Sequence, residues 1–399
     1  MLSVQDAARH ISQYILPLKT ELRSLERLSA ACVLQEPLTA DRDFPPFDRV
    51  TMDGIAFQYA RFAEGKRTFR VEGSQFAGQA KTELTNPSGC LEVMTGAMLP
   101  AGTDTVVRYE DVEMTGEMAR ITIETVQAGQ NIHRQAGDRR AGDRLVEPGT
   151  RLGPAEIAVA ASVGKAELRV SAPPRLAVVS TGDELVAVRE TPAPHQIRIS
   201  NAYVLRTILQ RAGAEVVTFH VADRAEEMKQ VFGRLLADFD AVVLSGGVSA
   251  GKADLVPSVL ESLGVRPVFH QVAQRPGKPL WFGATADRKP VFGLPGNPVS
   301  TFLCAYRYLL PWLKASLGET PAAAPVARLA EDLTFRPKLT YFLPVSLTLS
   351  DGAVWQASPL PGSGSGDYAN LLRCDGFLEL PPDREAFAAG EIFPLWMYR

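Results

Sequence analysis

RLAVVSTGDEL, residues 175–185, decides the fold of this chain. RLAVVS (175–180) is a continuous apolar run, which reads as a strand buried on both faces, and a glycine-containing turn follows at once. Downstream the style repeats. NAYVLRTILQRA (201–212) has helical periodicity, EVVTFH (215–220) reads as a strand, AEEMKQVFGRLLAD (225–238) as a helix and DAVVLS (240–245) as a strand. DLVPSVLESLG (254–264) is a further helix, VRPVFHQV (265–272) and KPVFGL (289–294) are further strands, and a helix starts near Pro298. Helices alternating with wholly apolar strands predict a doubly wound parallel sheet covered on both faces.

The flanks read differently. Upstream, Ser3 and Asp6 fit a helix start, with Val4, Ala8, Ile11 and Ile15 on one face before Pro17. A proline-rich loop, FPPFDRVTMDG (44–54), leads to short β-rich runs between 67 and 125: RTFRVEG, TDTVVRYEDV and ARITIET. PAEIAVAASVG (154–164) reads as a helix ending at Gly164, and Pro173–Pro174 marks a boundary. Beyond a PAAAP linker (321–325), YFLPVSLTL, AVWQASPL and GFLELP read as a small all-β module. The expected fold class is therefore α/β and β multidomain. Its expected parts are a mixed linking domain (1–43 and 131–172), a β-rich insert (44–130), the central α/β domain (173–318) and a small C-terminal β-barrel-like module (319–399).

Composition narrows the function. With 42 Lys and Arg against 45 Asp and Glu in 399 residues, the net charge of −3 argues against nucleic acid or an acidic membrane surface as the main partner. No apolar run is long enough to cross a bilayer, and MLSVQDAARH lacks the apolar core of a signal peptide, so a cytoplasmic setting is expected. The 4 cysteines and 5 histidines are scattered, which suggests neither a zinc cluster nor a disulfide framework.

Ligands of open α/β sheets bind beyond the carboxyl ends of the strands, and the glycine-rich loops of this chain fall there. They are Thr181-Gly182-Asp183-Glu184, Ser245-Gly246-Gly247-Val248-Ser249 and Pro295-Gly296-Asn297-Pro298. Any one of them is as readily a plain turn. Three on one sheet edge favour a phosphate-bearing ligand held by backbone N–H groups and a helix start. Asp183, Glu184, Asp223 and Asp254 lie at the same edge, where carboxylates beside phosphate suit Mg²⁺; helix capping is the plainer reading of Asp223 and Asp254. Arg275 and Lys278, on the stiff loop RPGKP (275–279), supply positive charge for an oxyanion. Met52-Asp53-Gly54 and Met94-Thr95-Gly96-Ala97 read individually as turns.

Taken together, PPFDRVTMDG (45–54), MTGAMLPAGTDTVV (94–107), STGDEL (180–185), SGGVS with Asp254, RPGKP and LPGNPVS (294–300) make the chain resemble the MoeA family of molybdopterin molybdenumtransferases over essentially its whole length. The resemblance implies molybdate- and Mg²⁺-dependent hydrolysis of adenylylated molybdopterin, which releases AMP and leaves the metal on the dithiolene. It implies a homodimer whose active site draws on both subunits, and an adenylyltransferase as upstream partner. By the same resemblance Asp53, Thr95, Asp138, Glu184, Asp223, Asp254, Arg275 and Lys278 are catalytic, with Glu184, Asp223 and Asp254 on the metal. Ser245, Gly246, Gly247, Ser249, Pro295, Gly296, Asn297 and Ser365 contact the substrate. The chain departs from the family pattern at Arg49-Val50-Thr51, Ile55, the AGDRR stretch around Asp138, Lys252 and Leu339, where Lys338 is adjacent. Two other readings stand beside it: a nucleotide-pyrophosphate hydrolase without molybdenum, and a non-catalytic molybdopterin-binding scaffold.

Overall fold

The computed structural model describes residues 1–248, 255–350, 354–360, 364, 366 and 368–399. They form two compact units, one of Glu36–Glu147 with Pro154–Ala166, the other of Met1–Gln35, Pro148–Gly153 and Glu167–Arg399.

The larger unit is built on a six-stranded sheet: β1 (Arg175–Thr181), β2 (Glu215–Val221), β3 (Ala241–Ser245), β4 (Arg266–His270), β5 (Trp281–Ala284) and β6 (Pro290–Leu294), in the order β2-β1-β3-β6-β5-β4. Alternate residues of β1 serve opposite faces. Leu176 and Val178 pack with Leu205, Ile208 and Leu209 of the helix Asn201–Ala212, while Ala177 and Val179 pack with Met228, Phe232 and Leu235 of the helix Ala225–Asp238. That two-sided burial explains why RLAVVS is apolar without alternation.

The sheet is not wholly parallel, as the sequence reading expects. β2, β1, β3 and β6 run parallel, but β5 is antiparallel to both β6 and β4. The connection from β5 to β6 is a tight turn, with Thr285 N–H donating to Lys289 O at 3.1 Å, and a turn that short allows only antiparallel pairing. β5 itself, WFGA, escapes sequence detection because it is four residues long with a glycine inside.

The first helix runs Val4–Ser12, with Ser3 Oγ accepting from Asp6 N–H, and it buries Val4, Ala7 and Ile11. Ile15 lies beyond its end and is exposed, so the apolar face differs from the expected one.

The C-terminal strands Val326–Leu329, Thr340–Leu349, Trp355–Pro359, Gly376–Leu380 and Ile392–Met397 close on one another as a barrel, because Thr340–Leu349 pairs with both Trp355–Pro359 and Gly376–Leu380. Leu343, Val345, Ala357, Leu378 and Leu395 fill it. This barrel is fused to the α/β sheet. Phe342, Leu371 and Phe377 belong to the α/β core, and the short strand Gln274–Arg275 pairs in parallel with Thr340 and Tyr341. Behind it, Arg307 Nε meets Glu379 Oε2 at 3.0 Å in a buried ion pair, and Glu379 also accepts from Trp396 Nε1 at 2.8 Å and Gln5 Nε2 at 3.2 Å.

In the smaller unit six strands form one sheet in the order Thr105–Arg108, Gly54–Phe57, Gly89–Val93, Thr68–Gln75, Met118–Ile121, Val112–Thr115. Ile55, Phe57, Phe69 and Val107 lie in its core. The helix Pro154–Ser162 belongs to this unit, and Gly164 just beyond it has φ +74°.

Candidate active site

A cavity of about 820 Å³ opens at the carboxyl ends of β1, β3 and β6, and the barrel closes its far side. Thr181, Gly182, Glu184, Asp223, Gly246, Gly247, Arg275, Lys278, Pro295, Gly296 and Asn297 all line it. Most of the α/β residues singled out from sequence thus meet in one place. Ser245 does not line the cavity; it is buried beneath the floor, where its Oγ accepts from Asn201 Nδ2 at 2.8 Å. Ser249, Asp254 and Ser365, with Lys252, lie outside the described residues.

The floor is made of glycine for steric reasons. A side chain on Gly246 would bring Cβ to 2.6 Å from Thr181 O, and one on Gly247 would bring it to 2.6 Å from Val256 Cγ2. Both have positive φ, +98° and +64°, a region that glycine enters without penalty. The two glycine loops abut: Gly246 N–H donates to Leu294 O at 3.3 Å, and a Cβ on Gly296 would lie 3.6 Å from Gly246 Cα. Asn297 takes the cap position of the helix Pro298–Cys304 with Pro298 in its first turn, although its side chain makes no capping bond. His270 Nε2–H donates to Val248 O at 3.0 Å, and His220 Nε2–H to Gly182 O at 3.2 Å, so two scattered histidines brace the loops from outside.

The RPGKP loop is held from below by Gln274, which is fully buried. Its Nε2 donates to Pro276 O at 3.1 Å and Gly277 O at 3.3 Å, while its Oε1 accepts from the Tyr308 hydroxyl. Gly277 has φ +90°, and a Cβ there would meet Gln274 Nε2 at 2.7 Å. Arg275 and Lys278 are thereby presented as exposed cations on a braced loop. Across the cavity stand Leu339 and Tyr341 of the barrel domain, Tyr341 stacked on Phe335 at 4.2 Å. Leu339 places an apolar side chain in that wall, and Lys338 beside it is exposed and does not line the cavity.

Among the described residues no group of three His, Cys, Asp or Glu side chains converges as a ready metal site. Glu184 and Asp223 nevertheless both face the cavity, and Asp183 Oδ1 accepts the backbone N–H of Asp223 at 3.0 Å. Two carboxylates completed by phosphate oxygens and water are what Mg²⁺ takes, so the residues present fit that ion.

In the smaller unit, two loops that look unremarkable apart come together. Asp53 Oδ1 accepts from Thr95 N–H at 2.6 Å and Thr95 Oγ1 at 2.8 Å, and these bonds lower the Asp53 pKa below the ordinary value. Gly54 is required there, since a Cβ would sit 1.9 Å from Val107 O. Asp138 Oδ1 lies 3.0 Å from His133 Nε2, and His133 Nδ1 lies 3.2 Å from Arg49 Nη2. A guanidinium only donates, so Nδ1 accepts and Nε2–H donates to Asp138. Arg49, one of the departures from the family pattern, thus fixes the tautomer of the histidine that holds Asp138.

Sequence reading missed Gln274, Asn201, Thr301 and Tyr368, whose side chains organise the loops without lining motifs of their own. Asn201 was legible only as a helix start, and Gln274 only as the residue before RPGKP.

Comparison with known proteins agrees with this architecture. Three family models match in succession: MoeA N-terminal region (domain I and II) over residues 2–164, probable molybdopterin binding domain over 177–315, and MoeA C-terminal region (domain IV) over 326–398. A molybdopterin molybdenumtransferase of Synechocystis sp. is 41% identical over 370 residues, covering 92% of each chain. One of Synechococcus elongatus is 37% identical, covering 90% of each. A crystal structure of the molybdopterin biosynthesis MoeA protein from Pyrococcus horikoshii superposes with a TM-score of 0.81 at 31% identity, covering 100% of this chain and 99% of that one. Similarity of this extent, running through all three regions, establishes that the chain is an enzyme of the MoeA family, the molybdopterin molybdenumtransferases.

Proposed function

We propose that the enzyme inserts molybdenum into adenylylated molybdopterin with Mg²⁺-dependent hydrolysis of the AMP phosphoanhydride, the last step of molybdenum cofactor assembly. The observation that carries this reading is the cavity floor, where the Gly246–Gly247 and Gly296 loops abut beside two cations and two carboxylates. Backbone N–H groups there receive the AMP phosphate, whose approach no Cβ obstructs. Arg275 and Lys278 attract molybdate, a dianion, and offset negative charge that develops as the P–O bond breaks. Arg275 adds a forked donor suited to tetrahedral oxyanions. Glu184 and Asp223 would hold Mg²⁺, with Asp254 as a third ligand, and the ion would neutralise phosphoanhydride charge. Water adds across the anhydride, one phosphate leaves as AMP, and the other stays on the pterin.

Asp53, Thr95 and Asp138 complete the proposed catalytic set, with Ser249 and Ser365 among the substrate contacts. The same reading includes a cytoplasmic homodimer whose site draws on both subunits, an adenylyltransferase delivering the substrate, and the four-part domain division given above. No described helix is long and apolar enough to cross a membrane. The deciding assay supplies purified enzyme with adenylylated molybdopterin, molybdate and Mg²⁺ and measures AMP. AMP release should require molybdate; release at the same rate without it would sink the metal-insertion assignment.

A further inference from the structure

Asn201 does more than open its helix. Its Nδ2 lies 2.8 Å from Ser245 Oγ, 2.8 Å from Gly296 O and 3.2 Å from Thr301 Oγ1, and its Oδ1 lies 2.6 Å from the Tyr368 hydroxyl. A carbonyl can only accept, so Gly296 O fixes the amide orientation: the NH₂ faces the glycine loops and the C=O faces Tyr368. Tyr368 must then donate. Burial pushes its hydroxyl pKa well above the ordinary tyrosine value, so it remains a donor at physiological pH.

The network joins three pieces of chain that meet nowhere in sequence. Ser245 ends β3 and begins one glycine loop, and Gly296 stands in the middle of the other. Tyr368 begins the 3₁₀ turn Tyr368–Leu372, which carries Asn370 and Leu371 into the cavity wall. That turn is itself anchored from the chain's last residues: Tyr398 OH donates to Leu371 O at 2.9 Å, and Arg399 Nη1 to Leu372 O at 2.7 Å. The β3–β6 ladder sets the loops side by side at their roots, and one amide bonded to Ser245 Oγ and to Gly296 O ties the second loop to the first beyond it.

We propose that Asn201 and Tyr368 form a positioning latch, which sets the two glycine loops for a phosphate group and makes that setting depend on the seating of the 368–372 turn. The proposal rests on the reading of the cavity as a phosphate site. Neither residue is a catalytic residue in this scheme; Asn201 acts through Ser245 Oγ and Gly296 O, and Tyr368 acts through Asn201.

The test uses the full chain and AMP as the probe, with binding followed by calorimetry and folding by thermal melting. Tyr368→Phe keeps the ring and removes only the donor. It should weaken AMP binding roughly five- to tenfold, the size of one net hydrogen bond, with little change in melting temperature. In turnover, KM for adenylylated molybdopterin should rise by a similar factor with a smaller change in kcat, a split that general destabilisation does not produce. In an Asn201→Ala background, Tyr368→Phe should add almost nothing, because the latch is already open. Wild-type affinity retained by Tyr368→Phe, or losses that multiply in the double variant, would overturn the latch while leaving the phosphate site standing. If the wild-type enzyme binds no AMP, the phosphate reading falls and the latch falls with it.

Discussion

Arg307→Leu is the substitution that best probes how the barrel is held to the α/β sheet. The two side chains of the Arg307–Glu379 pair are 10% and 7% exposed, and their atoms meet at 3.0 Å. Arg307 also lies over the Trp396 ring, 4.5 Å from its centroid. Leucine fills much of the same apolar volume but leaves the Glu379 carboxylate, among the described residues, with the neutral donors Trp396 Nε1 and Gln5 Nε2. Leaving a buried charge without its partner costs about 3–5 kcal/mol, and in a chain this size that lowers the melting temperature by about 4–6 °C. Removing both charges should restore part of the loss, since Arg307→Leu with Glu379→Leu leaves no uncompensated ion. Equilibrium denaturation followed by circular dichroism, in a four-member cycle, measures the coupling. An Arg307→Leu cost below about 1 kcal/mol, or strictly additive losses, would refute the reasoning, because the pair would then behave as a solvated one.

Other predictions concern the site and the thiols. Gly54→Ala should abolish folding of the smaller unit's sheet, visible as lost protection in hydrogen exchange, because its Cβ would lie 1.9 Å from a backbone oxygen. Thr95→Val should raise the Asp53 titration midpoint toward the ordinary carboxylate value in an NMR pH series. The sign follows from the lowered native pKa: the Thr95 bonds contribute above the unfolded-state pKa and their contribution is lost as pH falls through the folded one. Lys278→Ala should weaken molybdate binding by about tenfold or more, with the loss shrinking as salt rises; an unchanged affinity would mean that the cation faces solvent only. Burial pushes the Cys90 and Cys304 thiols up to about 12, so at pH 8 neither should react with an alkylating reagent until the protein is denatured.

The α/β domain was largely legible because its central strands β1, β3 and β6 are buried on both faces, which writes them as apolar runs, and because its helices carry clear periodicity. RLAVVS, DAVVLS and NAYVLRTILQRA needed nothing else. Legibility failed where geometry depends on partners distant in sequence. WFGA becomes a strand only because KPVFGL lies beside it, and the first helix stops at Ser12 although Ile15 continues its apolar period. The site shows the same division. Gly246 and Gly247 signalled themselves, since their positive φ and the 2.6 Å approaches a Cβ would make admit only glycine. Asp53 and Thr95 looked like separate turns because their hydrogen bonds span 42 positions. Gln274, Asn201 and Tyr368 are ordinary polar residues whose importance lies in the groups they touch: loop carbonyls for Gln274 and Asn201, and the Asn201 amide for Tyr368.

The two-residue strand Gln274–Arg275 has a consequence for where this chain can be cut. PAAAP looks like an invitation to separate the barrel from the sheet, and by composition it is a spacer. A fragment ending there would strip the neighbour from the strand that carries Arg275 and empty the seats that Phe342, Leu371 and Phe377 occupy in the α/β core. The fragment would keep every glycine loop and the Gln274 brace, but the strand leading into its cationic loop would lose its only paired neighbour among the described residues. Excision, grafting or circular permutation of this enzyme should therefore keep Met1–Gln35, Pro148–Gly153 and Glu167–Arg399 together, whatever the linker suggests.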